Sequence, residues 1–242
     1  MSSKKVGFLK VFFVFFLMGP AVAWGGTINL QKLAGGAAQG QFKSLSRDIG
    51  LAISYIPASP AEPLGITGFD VGVEVTYAPL DTNDAFVTSS PLDFILVPKL
   101  HVQKGLPFGI DLGAIYSSAS GLDFSIIGGE VKYAVLSGNL AIPAVAVRGA
   151  FTKMTGIDSL DLSTQSVDLS VSKGVLFVTP FAGVGLVQTT ATPKGISTLK
   201  EEKQQFSKPF VGVKLSLALI NFVYEADFSE TLLHTLRVNV GW

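Results

Sequence analysis

From Phe69 the chain alternates without a break: Phe69, Val71, Val73, Val75 and Tyr77 fall on one side, and Asp70, Gly72, Glu74 and Thr76 on the other. Successive side chains of a strand point to opposite faces, so this stretch predicts a strand with one apolar and one polar face. The same period returns downstream. Leu96, Leu100 and Val102 oppose Lys99, His101 and Gln103; Phe108, Ile110, Leu112, Ala114 and Tyr116 oppose Gly109, Asp111, Gly113 and Ser117. Ile127, Val131, Tyr133 and Val135 oppose Gly128, Glu130 and Lys132; Val145, Val147 and Phe151 oppose Ala146 and Arg148. Val167, Leu169 and Val171 oppose Ser166, Asp168 and Ser170; Val211, Val213, Leu215 and Leu217 oppose Gly212, Lys214 and Ser216; Phe222, Tyr224 and Phe228 oppose Glu225 and Asp227. A further strand is expected within 176–190, but its register stays open. There Val178, Ala182, Val184 and Leu186 compete with Phe177 and Phe181 for the apolar face.

A soluble β-sandwich also alternates, but its polar face is solvated and carries abundant Lys, Glu and Thr. Here that face is rich in Gly, Ala and Ser, with sparse charges of both signs, as a narrow barrel interior requires. Aromatics sit eight residues apart on the apolar face, at Phe69 and Tyr77 and at Phe108 and Tyr116. At ~3.3 Å per residue and a steep tilt this is on the order of 20 Å, the separation of two interfacial girdles. The expected fold is all-β: a closed antiparallel transmembrane β-barrel.

Composition sharpens this. Mean hydropathy is +0.48 and only 15% of residues are charged, yet after Ala23 no apolar run is long enough to cross a bilayer as a helix. Lys+Arg and Asp+Glu both number 18, so no basic field marks a nucleic-acid binder. With no cysteine, disulfides, thiolate metal sites and cysteine nucleophiles are excluded.

Residues 1–23 read as a cleaved signal peptide: Lys4 and Lys5, an apolar stretch from Val11 to Met18, and Ala21-Val22-Ala23. Residues 24–56 are expected to form a helical segment that sits in the periplasm or plugs the lumen. Leu30, Leu33, Phe42, Leu45, Ile49 and Ile53 fit helical spacing, although 48–55 also alternates. A Pro-rich connection through Pro57, Pro60 and Pro63 then opens the barrel, 57–242. Short turns are expected at 104–107, 137–139, 172–174 and 218–221, and long polar loops at 80–92, 153–161 and 189–207. Ten strands satisfy the even parity of single-chain barrels. Twelve, with 48–55 as one further strand and another drawn from 27–46, is the alternative.

At the end of the sequence Leu236, Val238, Val240 and Trp242 alternate with Arg237, Asn239 and Gly241. This pattern resembles the β-signal of outer-membrane proteins, which implies recognition by the barrel assembly machinery and a last strand ending in the periplasm. The stretches 60–74 and 98–111 resemble an uncharacterised family of proteobacterial outer-membrane β-barrel proteins, and Thr179-Pro180-Phe181-Ala182-Gly183-Val184-Gly185 resembles a strand found across many such barrels. The resemblance implies fold and outer-membrane location, with no functional residues to carry over.

The candidate lumen residues are Asp70, Glu74, Lys99, His101, Gln103, Asp111, Glu130, Lys132, Arg148, Asp168, Lys214, Glu225, Asp227 and Arg237. Closure of ten strands is expected to set Arg237 between Asp70 and Glu74 on one side and Glu225 and Asp227 on the other, a salt-bridge belt. Of the two histidines, His101 is expected to face the lumen and His234 the outer rim. Neither stands in a Gly-x-Ser-x-Gly or His-x-x-x-His setting, so no enzyme, metal or cofactor is expected. Loop charges Lys194, Lys200, Glu201, Glu202 and Lys203 read as solvated, with lipopolysaccharide and membrane lipid the expected partners. The leading expectation for function is a narrow conduit or binding site for a small solute, with a hydrophobic one among the candidates. The alternative is a non-transporting structural, adhesive or envelope-integrity barrel.

Overall fold

A computed structural model describes residues 27–28, 38–80, 87–88, 94–118 and 124–242. The segment read as a signal peptide lies outside them. Ten strands form one closed, wholly antiparallel barrel. They are β1 (Phe69–Pro79), β2 (Phe94–Gly105), β3 (Ile110–Ser118), β4 (Ser125–Leu136), β5 (Ala144–Thr155), β6 (Leu160–Ser172), β7 (Val178–Pro193), β8 (Glu202–Leu217), β9 (Ile220–Phe228) and β10 (Leu232–Gly241). Each pairs with the next, and β10 closes on β1 in a register running from His234 opposite Tyr77 to Gly241 opposite Asp70. Phe69 and Trp242 exchange backbone hydrogen bonds of 3.2 and 3.1 Å at the seam, and their rings meet edge to face with centroids 4.0 Å apart. Closure pairs the first barrel strand with the last, so neither is left as a free sheet edge.

The alternation is translated directly into burial. Outward Val73, Ile127, Val131, Val167 and Val184 are exposed, while their inward neighbours Glu74, Glu130, Lys132 and Asp168 are buried. This is the inverse of a soluble protein, and a lipid-facing exterior accounts for it. Tyr77, Phe94 and His234 cluster outside at the end carrying the longer loops, called here the loop end. Phe69 and Trp242 mark the other, the turn end. His234 stacks on Tyr224 and shares a 2.7 Å hydrogen bond with its hydroxyl.

Several expectations are corrected. Phe108 is not on a strand: β3 begins at Ile110, and Phe108 occupies the preceding turn at φ 65°. The loops read as 153–161 and 189–207 shrink to 156–159 and 194–201, because β5 to β8 run on past the apolar belt. The outward residues of these extensions are Lys153, Thr155, Ser163, Gln165, Gln188, Thr190, Lys203 and Gln205, so a polar wall stands above the belt. Among the described residues of 27–46 none forms a barrel strand: Thr27–Ile28 pairs with Val87–Thr88, outside the barrel, and 38–46 are helical; 29–37 lie outside the described residues.

The open register of 176–190 resolves through packing. Phe181 and Phe210 turn inward, and each lies over the glycine facing the other, because Phe181 is paired with Gly212 and Phe210 with Gly183. A β-carbon at either glycine would overlap the opposing ring. Gly212→Val is therefore expected to expel Phe181 and to lower the unfolding free energy of the reconstituted barrel by about 1–3 kcal/mol, the range for overpacking. Urea titration in micelles reads the loss, and an unchanged midpoint would refute the interlock.

Candidate functional site: the plugged lumen

A helix, α1 (Ala38–Ile53), lies inside the barrel, and the chain continues through the lumen as an extended strap to Gly68. Its start is clasped at the loop end. Gln39 Nε2 donates to Lys200 O at 3.2 Å and to Glu202, Gln39 Oε1 accepts from Lys200 N at 2.9 Å, and Gln204 Nε2 donates to Lys43 O at 3.0 Å. The strap leaves at the turn end, where Lys104 Nζ donates to Ile66 O at 2.6 Å and Gly105 N to Gly68 O at 3.1 Å. The segment thus threads the whole barrel, and residues 57–67, read from sequence as a connection to the barrel, belong to the plug.

The helical reading of 48–53 prevails for a physical reason. Inside a closed sheet no vacant edge offers hydrogen bonds, so a chain in the loop half must satisfy its own backbone, which a helix does. Phe42, Leu45, Ile49 and Ile53 pack against inward Ile95, Val97, Ile126, Met154, Leu162, Val187 and Phe210, an apolar core within the barrel. At Gly50 the helix presses on β7 so closely that a β-carbon would lie 2.5 Å from the Thr189 methyl. Ser54 ends the helix, its hydroxyl donating to Leu51 O at 2.7 Å, and Pro57 blocks continuation.

Below α1 the lumen changes character. The strap has no ladder of its own, and charged lumen side chains supply its missing partners. Lys99 Nζ donates to Ser54 O at 3.4 Å, and Lys208 Nζ to Tyr55 O at 3.2 Å. Arg237 reaches Ala58 O at 3.5 Å. Lys132 Nζ holds Pro60 O at 3.1 Å and Glu62 O at 2.9 Å. Carboxylates take the amides: Ala58 N donates to Glu225 at 2.9 Å and Leu64 N to both oxygens of Asp111 at 3.1 Å. Ala61 N donates to Ser172 Oγ at 3.0 Å.

These same groups are paired across the wall. Lys132 meets Asp111 at 2.9 Å, Arg148 meets Glu130 at 2.8 Å, Lys208 meets Asp227 at 3.2 Å and Lys99 meets Glu74 at 3.4 Å. His101 Nδ1 lies 2.8 Å from Glu74, and its Nε2 faces the Tyr55 hydroxyl at 2.7 Å. With Nδ1 donating to the carboxylate, Nε2 accepts from tyrosine. A Glu–His–Tyr chain of this kind has the order of a proton relay, and His101 at its centre is completely buried. It locks the strap.

All fourteen lumen candidates face inward; thirteen are buried and Lys214 is half-buried at the turn end. Gln103 donates to Glu130, and Asp168 stands opposite Arg148 across β5 and β6. The expected belt around Arg237 forms only in part: Asp70 pairs with it and Glu74 stands opposite it in register. Arg237 binds Asp70, while Glu74, Glu225 and Asp227 each serve another cation or the strap, because the strap occupies the axis they would otherwise share. Sequence reading missed Lys208, Tyr55 and Ser172. Lys208 shares parity with Gly212 and Lys214, a usable signal, whereas nothing local marks Tyr55 as a lumen residue. Among the described residues no group of three or more histidine or acidic side chains is placed to hold a metal, and no helix is long and apolar enough to cross a membrane.

No known protein family matches this chain, and no curated protein does either. Among solved structures it is similar to Ail, the attachment invasion locus protein of Yersinia pestis, at 9% identity, covering 72% of this chain and 95% of that one with a TM-score of 0.27.

Proposed function

We propose that this is an integral outer-membrane barrel sealed by its own N-terminal segment, which serves a structural or adhesive role through its loop end and does not move solute. One observation carries the reading: residues 38–68 run the length of the lumen, with the strap's carbonyls and amides held by buried charges. A conduit needs a continuous aqueous path, and here that path is occupied by helix and backbone. The polar wall of β5 to β8 supports the second half of the proposal, since it lifts a water-compatible surface above the apolar belt.

In this reading the turn end faces the periplasm, the pattern of Leu236, Val238, Val240 and Trp242 serves as the assembly signal, and membrane lipid and lipopolysaccharide surround the barrel. Chemistry is assigned to no residue, His101 included. Liposome swelling tests the proposal. Proteoliposomes of the intact barrel are expected to swell in small sugars no faster than protein-free vesicles. Steady, solute-dependent swelling would restore the conduit.

A further inference from the structure

The turns at the end opposite the polar wall are unusual in what they put at their tips. Phe108, between β2 and β3, is 90% exposed, Leu140, between β4 and β5, 98%, and Leu176, between β6 and β7, 96%. Leu219 in the β8–β9 turn, Ile66 at the mouth of the strap, and Ile142, Val175 and Phe177 are exposed as well. Phe108, Leu176 and Ala218 hold positive φ, of 65°, 57° and 56°. Glycine or asparagine is the ordinary residue there, and a bulky side chain in this conformation is strained. Tight turns thus carry apolar bulk where a small residue would serve the backbone better. The described loop-end tips are the opposite: Asp158, Ser159, Lys194, Glu201, Ser229 and Glu230.

Two further observations say what covers this rim. The apolar exterior runs up to it, from Val131, Tyr133, Val135 and Leu136 to Leu140 and Ile142 with exposed Ser137 and Asn139 between, and from Leu169 and Val171 to Val175, Leu176 and Phe177 across Lys173 and Gly174. Several backbone groups of these turns are bonded within the turns themselves, as hydrocarbon surroundings favour. Leu106 N donates to Ile110 O at 2.7 Å, Val175 and Val178 exchange bonds of 2.8 and 3.0 Å, and Gly241 N donates to Leu219 O at 3.1 Å. Asn139 Oδ1 caps Ala141 N at 2.8 Å and Ile142 N at 3.0 Å. The lysines of this rim are turned onto carbonyls: Lys173 donates to Asn139 O and Leu140 O, each at 2.7 Å, and Lys104 to Ile66 O and Gly68 O.

We propose that the turn rim is itself a lipid-binding surface, its apolar tips inserted at the headgroup and acyl boundary of one leaflet. The occupant is bilayer lipid, continuous with the lipid around the belt, and the inference rests on the membrane-barrel reading. It sets the barrel off-centre in the bilayer, with the turns sunk and the wall of β5 to β8 raised.

The chain has no cysteine, so single-cysteine variants of the full protein carry one fluorescent label each. Labels at Phe108→Cys, Leu140→Cys and Leu176→Cys are expected to be quenched by lipids brominated high on the acyl chain as strongly as a belt label at Val131→Cys, and to resist aqueous iodide. A label at Asp158→Cys should behave in reverse. The tips are exposed, so these substitutions remove little packing, and three positions guard against one misfolded variant. Iodide quenching at the tips with lipid quenching at Val131→Cys would overturn the rim while leaving the barrel intact. Tips shielded from both quenchers would mean a protein, including a second copy, covers the rim, and would overturn it too. Absent lipid quenching at Val131→Cys would remove the barrel reading beneath it.

Discussion

Planar bilayers containing barrels from which residues 38–64 have been excised are expected to conduct steadily, where the intact barrel is silent. The effect is close to all-or-none because the plug supplies the whole obstruction. Removal uncovers charges of both signs in the turn half, among them Glu74, Asp111, Lys132, Glu225 and Arg237, which water would solvate once the strap is gone. The loop half responds differently. Its inward Ile95, Val97, Ile126, Met154 and Leu162 are covered by α1, and uncovering them exposes apolar surface to a wet lumen at ~25 cal/mol per Å². The excised barrel should therefore conduct but melt earlier, visible as a lower transition temperature in heat-modifiable electrophoresis. Silence of a correctly folded excised barrel would show that the wall's own side chains suffice to close the lumen, and that the plug serves another purpose.

The barrel was legible in the sequence to the extent that one face of each strand was plain. The parity of β1 to β6 could be read because Val, Ile and Leu stand opposite charged or small residues over three or more successive pairs. β7 could not be read that way. Its inward Phe181 is as apolar as its outward Val184, and only the partner glycine on β8 says which ring lies inside. The same blindness hid the apolar core of the loop half. Ile126, Met154, Leu160, Leu162 and Val187 continue the inward parity of their strands, but without a helix to cover them an inward apolar residue looks like a break in the pattern. Read together, those breaks mark where a lumen helix packs.

The plug was half legible. Phe42, Leu45, Ile49 and Ile53 gave its apolar face, and parity argued against an eleventh strand. The strap's path could not be inferred, since apart from side-chain contacts such as Tyr55 with His101 residues 54–68 are bound mainly through backbone atoms that every residue possesses. What the sequence displayed was the complementary half: fourteen polar side chains on one side of a sheet. Their pairing with each other was the simpler expectation, and the structure shows them divided between each other and the strap.

The turn half of the lumen should be most sensitive at Lys132 and Asp111, where wall and strap are joined by the densest set of contacts. Lys132 bonds Asp111 at 2.9 Å and the carbonyls of Pro60 and Glu62, while Asp111 accepts the Leu64 amide. Both residues are buried. Lys132→Met leaves a carboxylate without its cation and two carbonyls without a donor, and a loss of about 3–5 kcal/mol is expected for breaking such a pair. Asp111→Asn keeps an acceptor for Leu64 but strands the ammonium, with a loss of similar size. In the double variant no unpaired charge remains, so its loss should fall well short of the sum, and the difference measures the coupling. Reversible urea unfolding in detergent micelles supplies all four free energies. Additive losses would mean that the two charges are solvated separately, and that the strap, not the ion pair, holds this layer together.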